Sequence, residues 1–240
     1  MARVIFVTGT DTSVGKTALT ALLLAHAQAE GTNVRALKPF STGDGGDEAL
    51  LGSIQKSSLR INFFNFPEPV SPWTAARLHG ISIKLEAALP PILEHRASCE
   101  LLLIEGAGGL LTPLGEKFTA ADLINELHAE VIVVAANRLG VLNHTLLGVE
   151  ALRHRGVKSI CVALVELAGA DRSRKSNLTD LTDLLAPLPV VPIPFLEDFR
   201  PDAEFIRASA KSLHPELSRL IQSPKGKKNP PDTEAEGTFP

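Results

Sequence analysis

Cysteine is scarce in this chain of 240 residues: Cys99 and Cys161 are the whole supply. Two cysteines cannot build a disulfide scaffold or a cysteine-ligated zinc site, so a reduced compartment is the expectation. Charge of one sign is equally scarce. With 24 Lys and Arg against 27 Asp and Glu, the formal net charge is −3, which leaves no basic excess to coat a nucleic acid. Long apolar runs are missing as well. The N-terminal run follows Arg3 and stops at Thr8; no secretory segment succeeds it, and no run approaches the ~18 residues of a membrane span. The seven histidines form no HxxxH or HxxH pair, which argues against a transition-metal site. No GxSxG elbow and no internal repeat occur. These absences leave a cytoplasmic protein with neither a nucleic-acid nor a membrane partner.

What is present is a composition of 44% hydrophobic and 21% charged residues, suited to one large domain with a substantial core. VIFVTG (4–9), ELLLIE (100–105), VIVVAAN (131–137), SICVALV (159–165) and VVPIP (190–194) are continuous apolar runs. Runs that do not alternate read as strands buried on both faces. NVRAL (33–37) is a weaker strand. Helical patterns fill the intervals at 16–30, 47–56, 74–79, 82–95, 119–128, 142–155 and 177–186, and a single last helix is expected over 203–222. Alternating strands and helices predict an α/β fold, a mostly parallel sheet covered on both faces, with ligands beyond the carboxyl ends of its strands. Residues 1–222 form the domain. From Ser223 to Pro240 the sequence is rich in Pro, Gly and charge and is expected to be a disordered tail, since it cannot bury enough surface to offset ordering.

Four stretches carry chemistry. Residues 9–17 read GTDTSVGKT directly after an apolar run. A strand, a glycine loop and a helix starting at Lys16 place backbone N–H groups and a helix dipole around an anion. Lys16 adds charge for the β- and γ-phosphates, and the Thr17 hydroxyl can ligate Mg²⁺. Five residues separate Gly9 from Gly15, one more than the usual phosphate loop has. LLLIEGAGGLLTPL (101–114) ends a buried strand on Glu105, a carboxylate at the sheet edge where a phosphate-bound metal would lie, and its glycines admit a ligand close to the backbone. In LKPFSTGDGGDEALL (37–51), Lys38 points from a strand end to the ligand side, and Asp47 is either a helix cap or a second carboxylate beside the metal. In 136–156, a helix opens near Asn143, which suits a carboxylate ligand or a plain cap.

Together these motifs resemble the dethiobiotin synthetases, whose loop is GTDTxVGKT with the same five-residue spacing. The likeness continues through KPFSTG (38–43), PVSPWTAA (69–76), EGAGGLLTPL (105–114), LGVLNHTLL (139–147) and PIPFLE (192–197), and spans roughly residues 3 to 200. The resemblance implies a single-domain P-loop NTPase-like fold. It implies a nucleotide site built from Thr12, Ser13, Val14, Gly15, Lys16, Thr17 and Ala18, then Asp47 and Glu105, Gly106, Ala107 and Gly108. Val165, Glu166, Pro194, Phe195 and Leu196 would surround the base. Mg²⁺ would sit among Thr17, Asp47 and Glu105, with Asp44 as an alternative to Asp47. Lys38 and Lys16 would be the catalytic pair. Thr12, Lys38 and Thr42 would contact substrate, and Asn143 would reach the substrate carboxylate of a neighbouring subunit, which implies a homodimer. Two departures from the family pattern stand out: Trp73 replaces a histidine that often follows Ser-Pro, and Val165 followed by Glu166 stands where an Asn usually reads adenine.

The implied reaction joins ATP, CO₂ and 7,8-diaminononanoate into a cyclic urea. A partition- or assembly-type P-loop ATPase is the rival, but those proteins commonly carry an extra lysine early in the loop, and none lies between Gly9 and Gly15. Amidotransferase-linked cobyrinate or cobyrate synthases are too long to fit this chain.

Overall fold

The computed structural model describes residues 2–43, 46–55, 60–169 and 171–222; Asp44 and the 223–240 segment lie outside them. Ten strands occur among the described residues: β1 (Arg3–Gly9), β2 (Val34–Leu37), β3 (Phe40–Thr42), β4 (Phe64–Phe66), β5 (Leu101–Gly109), β6 (Pro113–Gly115), β7 (Phe118–Thr119), β8 (Glu130–Ala136), β9 (Ile160–Val165) and β10 (Val190–Ile193). The helices are α1 (Lys16–Ala29), α2 (Asp47–Gln55), α3 (Pro72–Leu78), α4 (Leu85–Ala97), α5 (Ala120–Leu127), α6 (Val141–His154), α7 (Arg174–Leu185), α8 (Ala203–Ser212) and α9 (His214–Ile221).

Six strands form one parallel sheet in the order β10-β9-β8-β1-β5-β2. The continuous apolar runs belong there because both faces are covered. Along β1, Val4 and Phe6 enter one core, with α4, α5 and α6. Ile5 and Val7 enter the other, beneath α1, α2, α8 and α9. All four are at most 3% exposed, so a strand with no polar face is what this position demands. The chain winds from β1 to β2 and β5 on one side, then to β8, β9 and β10 on the other, which leaves a crevice at the carboxyl end of β1. Both cysteines are free and partly buried, and burial pushes the Cys161 thiol up to about 12, as suits small core residues. No helix among the described residues is long and apolar enough to cross a membrane.

Two features differ from the sequence expectation. The 203–222 segment is two helices, because Pro215 stands in the first turn of α9. A proline there lacks the N–H that would continue α8 and is instead favoured as a helix start. The short pairs β3–β4 and β6–β7 were not expected; at two or three residues each they are too brief to show a period. At the opposite end of the sheet from the crevice, Arg3 ties three elements together. Its guanidinium donates to Glu130 Oε1 at 2.5 Å and Oε2 at 2.8 Å, and also to the carbonyl of Ile221 at the end of α9.

Candidate active site

The loop after β1 closes its extra residue with two left-handed positions. Ser13 has φ +55° and Gly15 φ +97°; at Gly15 only glycine adopts this freely. Between them Val14 is 1% exposed and packs into the core, so its backbone, not its side chain, serves the loop. Thr10 N–H donates to the Val134 carbonyl at 2.9 Å, fixing the loop on β8. Lys16 Nζ donates to the Asp11 carbonyl at 2.8 Å, folding across its own loop. Gly9 is packed beneath it: a Cβ there would lie 2.8 Å from the Asp11 carbonyl oxygen.

Glu105 is the centre of the site. It lies near the end of the buried part of β5, which runs to Gly106, and is 1% exposed. Its Oε1 accepts from Lys38 Nζ at 2.8 Å and from Thr17 Oγ1 at 2.7 Å. Its Oε2 is buried and has no hydrogen-bond partner among the described residues. Lys38, just past the end of β2, also donates to Asp47 Oδ2. Burial works to lower the Lys38 pKa, but Glu105 and Asp47 outweigh it and hold it above the ordinary lysine value. Lys16 moves the other way: burial lowers it, with Glu105 only partly opposing. Two ammonium groups and two carboxylates thus share one crevice.

That crevice has a volume of about 510 Å³ and is lined by Thr12, Ser13, Gly15 to Ala18, Lys38, Thr42, Asp47 and Glu105 to Gly108. Ser41, Gly46 and Leu167 line it too and were missed; Ser41 was legible only inside its motif. A second recess of about 210 Å³ shares Gly15, Ala18 and Leu167 with the first. Val165, Glu166, Pro194, Phe195 and Leu196 line it, with Leu19, Leu22, Ile193 and Phe199 unanticipated. The Glu166 carboxylate is engaged on one oxygen: Asn137 Nδ2 donates to its Oε1 at 2.6 Å, while Arg174 lies 3.7 Å from its Oε2, which is buried without a hydrogen-bond partner among the described residues. Asn137 is held in turn by Asn177 at 2.8 Å. Asn143 is exposed on the first turn of α6, where Gly140 takes the N-cap, and it does not line either recess of its own chain.

Thr17, Asp47 and the orphaned Glu105 Oε2 supply only oxygen donors, the set a hard dication such as Mg²⁺ takes. A buried carboxylate oxygen without a partner is costly unless a cation meets it, so these residues fit the metal.

A family model described as "AAA domain" matches residues 3–198. The MinC:MinD cell division protein complex of Aquifex aeolicus superposes with a TM-score of 0.58 over 95% of this chain and 99% of that one, at 15% identity, which is a likeness of fold alone. An ATP-dependent dethiobiotin synthetase BioD of Bacillus licheniformis is 33% identical over 205 residues, 82% of this chain and 87% of that protein. Another, from Anaeromyxobacter sp., is 35% identical over 214 residues, 86% of this chain and 96% of that protein. At that identity over nearly the whole length of a relative, and with the five-residue loop folded as a phosphate cradle, the chain belongs to the dethiobiotin synthetase family.

Proposed function

We propose that this protein closes 7,8-diaminononanoate with CO₂ into the cyclic urea of dethiobiotin, converting ATP to ADP and phosphate. The observation that carries this reading is the cluster of Lys16, Lys38, Asp47 and Glu105 around one crevice at the head of the phosphate loop. A urea can form from two amines and CO₂ only by expelling an oxygen, and hydroxide leaves poorly. ATP turns that oxygen into phosphate.

One amine adds to CO₂ and loses a proton, giving a carbamate. A carbamate oxygen attacks the γ-phosphorus in line, and the bond to ADP breaks. The second amine then attacks the carbonyl of the mixed anhydride, the C–O bond breaks, and phosphate departs as the amine proton is released. Lys16 meets the charge that builds on the γ-phosphoryl oxygens, and Lys38 bridges the γ-phosphate and the carbamate. Loop N–H groups from Thr12 to Ala18 orient the phosphates, with Thr12 and Thr42 facing substrate. Mg²⁺ held by Thr17, Asp47 and Glu105 would neutralise phosphate charge. Val165, Pro194, Phe195 and Leu196 enclose the base. We further propose a homodimer in which Asn143 binds the substrate carboxylate of the neighbouring subunit, and, with ATP as co-substrate, a cytoplasmic location.

Incubation with diaminononanoate, ATP, Mg²⁺ and labelled bicarbonate tests the reaction. Label should enter a cyclic product only when all are present, one phosphate being released per product. Steady ATP hydrolysis indifferent to the diamine, with no labelled product, would overturn the assignment.

A further inference from the structure

The far end of α1 carries a side-chain cluster with no part in the crevice. His26 and Glu30 are four residues apart, so they stack on one side of the helix end. Lys16 is ten residues earlier, about 15 Å along the axis. His214, the first residue of α9, packs against both. Each of the three offers a ligand atom, and these atoms all lie within 4.8 Å of one another. His214 Nε2 is 3.3 Å from Glu30 Oε1, and the two imidazole centroids are 5.0 Å apart at 78°. His26 is buried, with Ser218 Oγ 3.2 Å from its Nε2. The Glu30 and His214 side chains are half exposed. No other such trio occurs among the described residues.

We propose that His26, Glu30 and His214 bind a divalent transition-metal ion of the zinc type, which staples the start of α9 to the end of α1. Two imidazoles and a carboxylate suit Zn²⁺, Co²⁺ or Ni²⁺ and not Mg²⁺, whose all-oxygen donors lie in the crevice. Ligand atoms on a tetrahedral zinc ion stand about 3.4 Å apart, given bonds near 2.0–2.2 Å. The Glu30–His214 pair already has that spacing at 3.3 Å. Both side chains are free enough at the surface to close onto His26, which the core holds still. A fourth position faces water. The histidine spacing in the sequence argued against a transition metal, because it records no pair that only the fold brings together.

Untagged full-length protein, stripped with chelator and supplied with saturating Mg²⁺ and ATP, is titrated with Zn²⁺. One Zn²⁺ should bind per chain. At a hundredfold excess over its Kd it should raise Tm by about 5–10 °C, from the mass-action gain and the Tm scaling for a domain of this size. Glu30→Gln/His214→Ala should abolish the binding and the shift while keeping the wild-type turnover. His26→Ala opens the core and can fail to fold, so the exposed pair decides the matter. No saturable Zn²⁺ binding, or an equal Tm rise in the double variant, overturns the site.

Discussion

Lys16 and Lys38 lie in one crevice but are held differently, and this separates their expected roles. Lys16 bonds its own loop, whereas Lys38 stands between Glu105 and Asp47. Lys16→Ala should leave a folded protein and lower the rate roughly a hundredfold or more, the equivalent of about 3 kcal/mol of transition-state charge stabilisation. Lys38→Gln should depress turnover with little change in ATP affinity. It should also lower Tm when Mg²⁺ is withheld, because Glu105 then loses its buried counter-ion. Steady-state kinetics and melting curves with and without Mg²⁺ check both; a collapse of ATP affinity in Lys38→Gln would exchange the roles. The base recess makes a further prediction. Val165 offers only hydrocarbon, Asn137 occupies Oε1 of the Glu166 carboxylate, and its Oε2 is buried. Without a side-chain reader, discrimination falls by the value of about one hydrogen bond, some 0.5–1.5 kcal/mol. GTP or CTP should therefore support turnover within about tenfold of ATP, the value of that bond. A preference for ATP above a thousandfold in kcat/KM would show that backbone groups near Phe195 read the base. Lys16, Lys38 and Glu105 were legible because each lies at a strand end or helix start marked by local pattern. The Asn137–Asn177 pair that immobilises Glu166 was not, since no local pattern links positions on β8's exit and α7.

Among the elements, the junction of β1 and β8 carries a pH-dependent tie. Burial works to raise the Glu130 carboxyl, but the Arg3 guanidinium and the Ser159 hydroxyl at 3.1 Å outweigh it and hold it below the ordinary glutamate value. A carboxyl depressed in the native state binds fewer protons there than in the unfolded chain. Its stabilisation is therefore complete above the unfolded pKa of about 4.3 and is lost as pH falls through the lower native value. Glu130→Gln should cost about 1 kcal/mol at pH 7, as a partly buried bidentate pair warrants. The gap to wild type should close as pH drops below about 4. Urea titrations at both pH values measure it; a gap that stays constant would assign the loss to packing instead. Five strands of the main sheet were legible as apolar runs, because a parallel strand covered on both faces has few polar positions to obscure it; β2 was the weaker one, since Arg35 interrupts its four residues. The break between α8 and α9 was not, since Ile206, Ala210, Leu213, Leu217 and Leu220 keep one buried stripe across it.

For the whole molecule, the unaccounted surface is around Asn143. It is exposed, with Leu147 one turn on at 57% exposure and Leu139 just before the helix at 80%. Polar and apolar groups together on one exposed edge suit a two-fold contact in which Asn143 serves the partner's substrate. Asn143→Ala should raise KM for diaminononanoate severalfold and leave that for ATP nearly unchanged. Light scattering that finds a fully active monomer would remove the cross-subunit role. The opposite rim of the sheet has the reverse character. There Arg3, at the first residue of β1, holds the carbonyl of Ile221, while the phosphate loop begins at the last residue of the same strand. Six residue steps of β-strand, about 20 Å, separate them. The enzyme accordingly has a working front and an idle back, and its main chain leaves α9 on the back. A dye, a resin or a second enzyme attached at Gln222 itself would be anchored behind the reaction, leaving the mouth of the crevice clear for nucleotide and diamine to come and go.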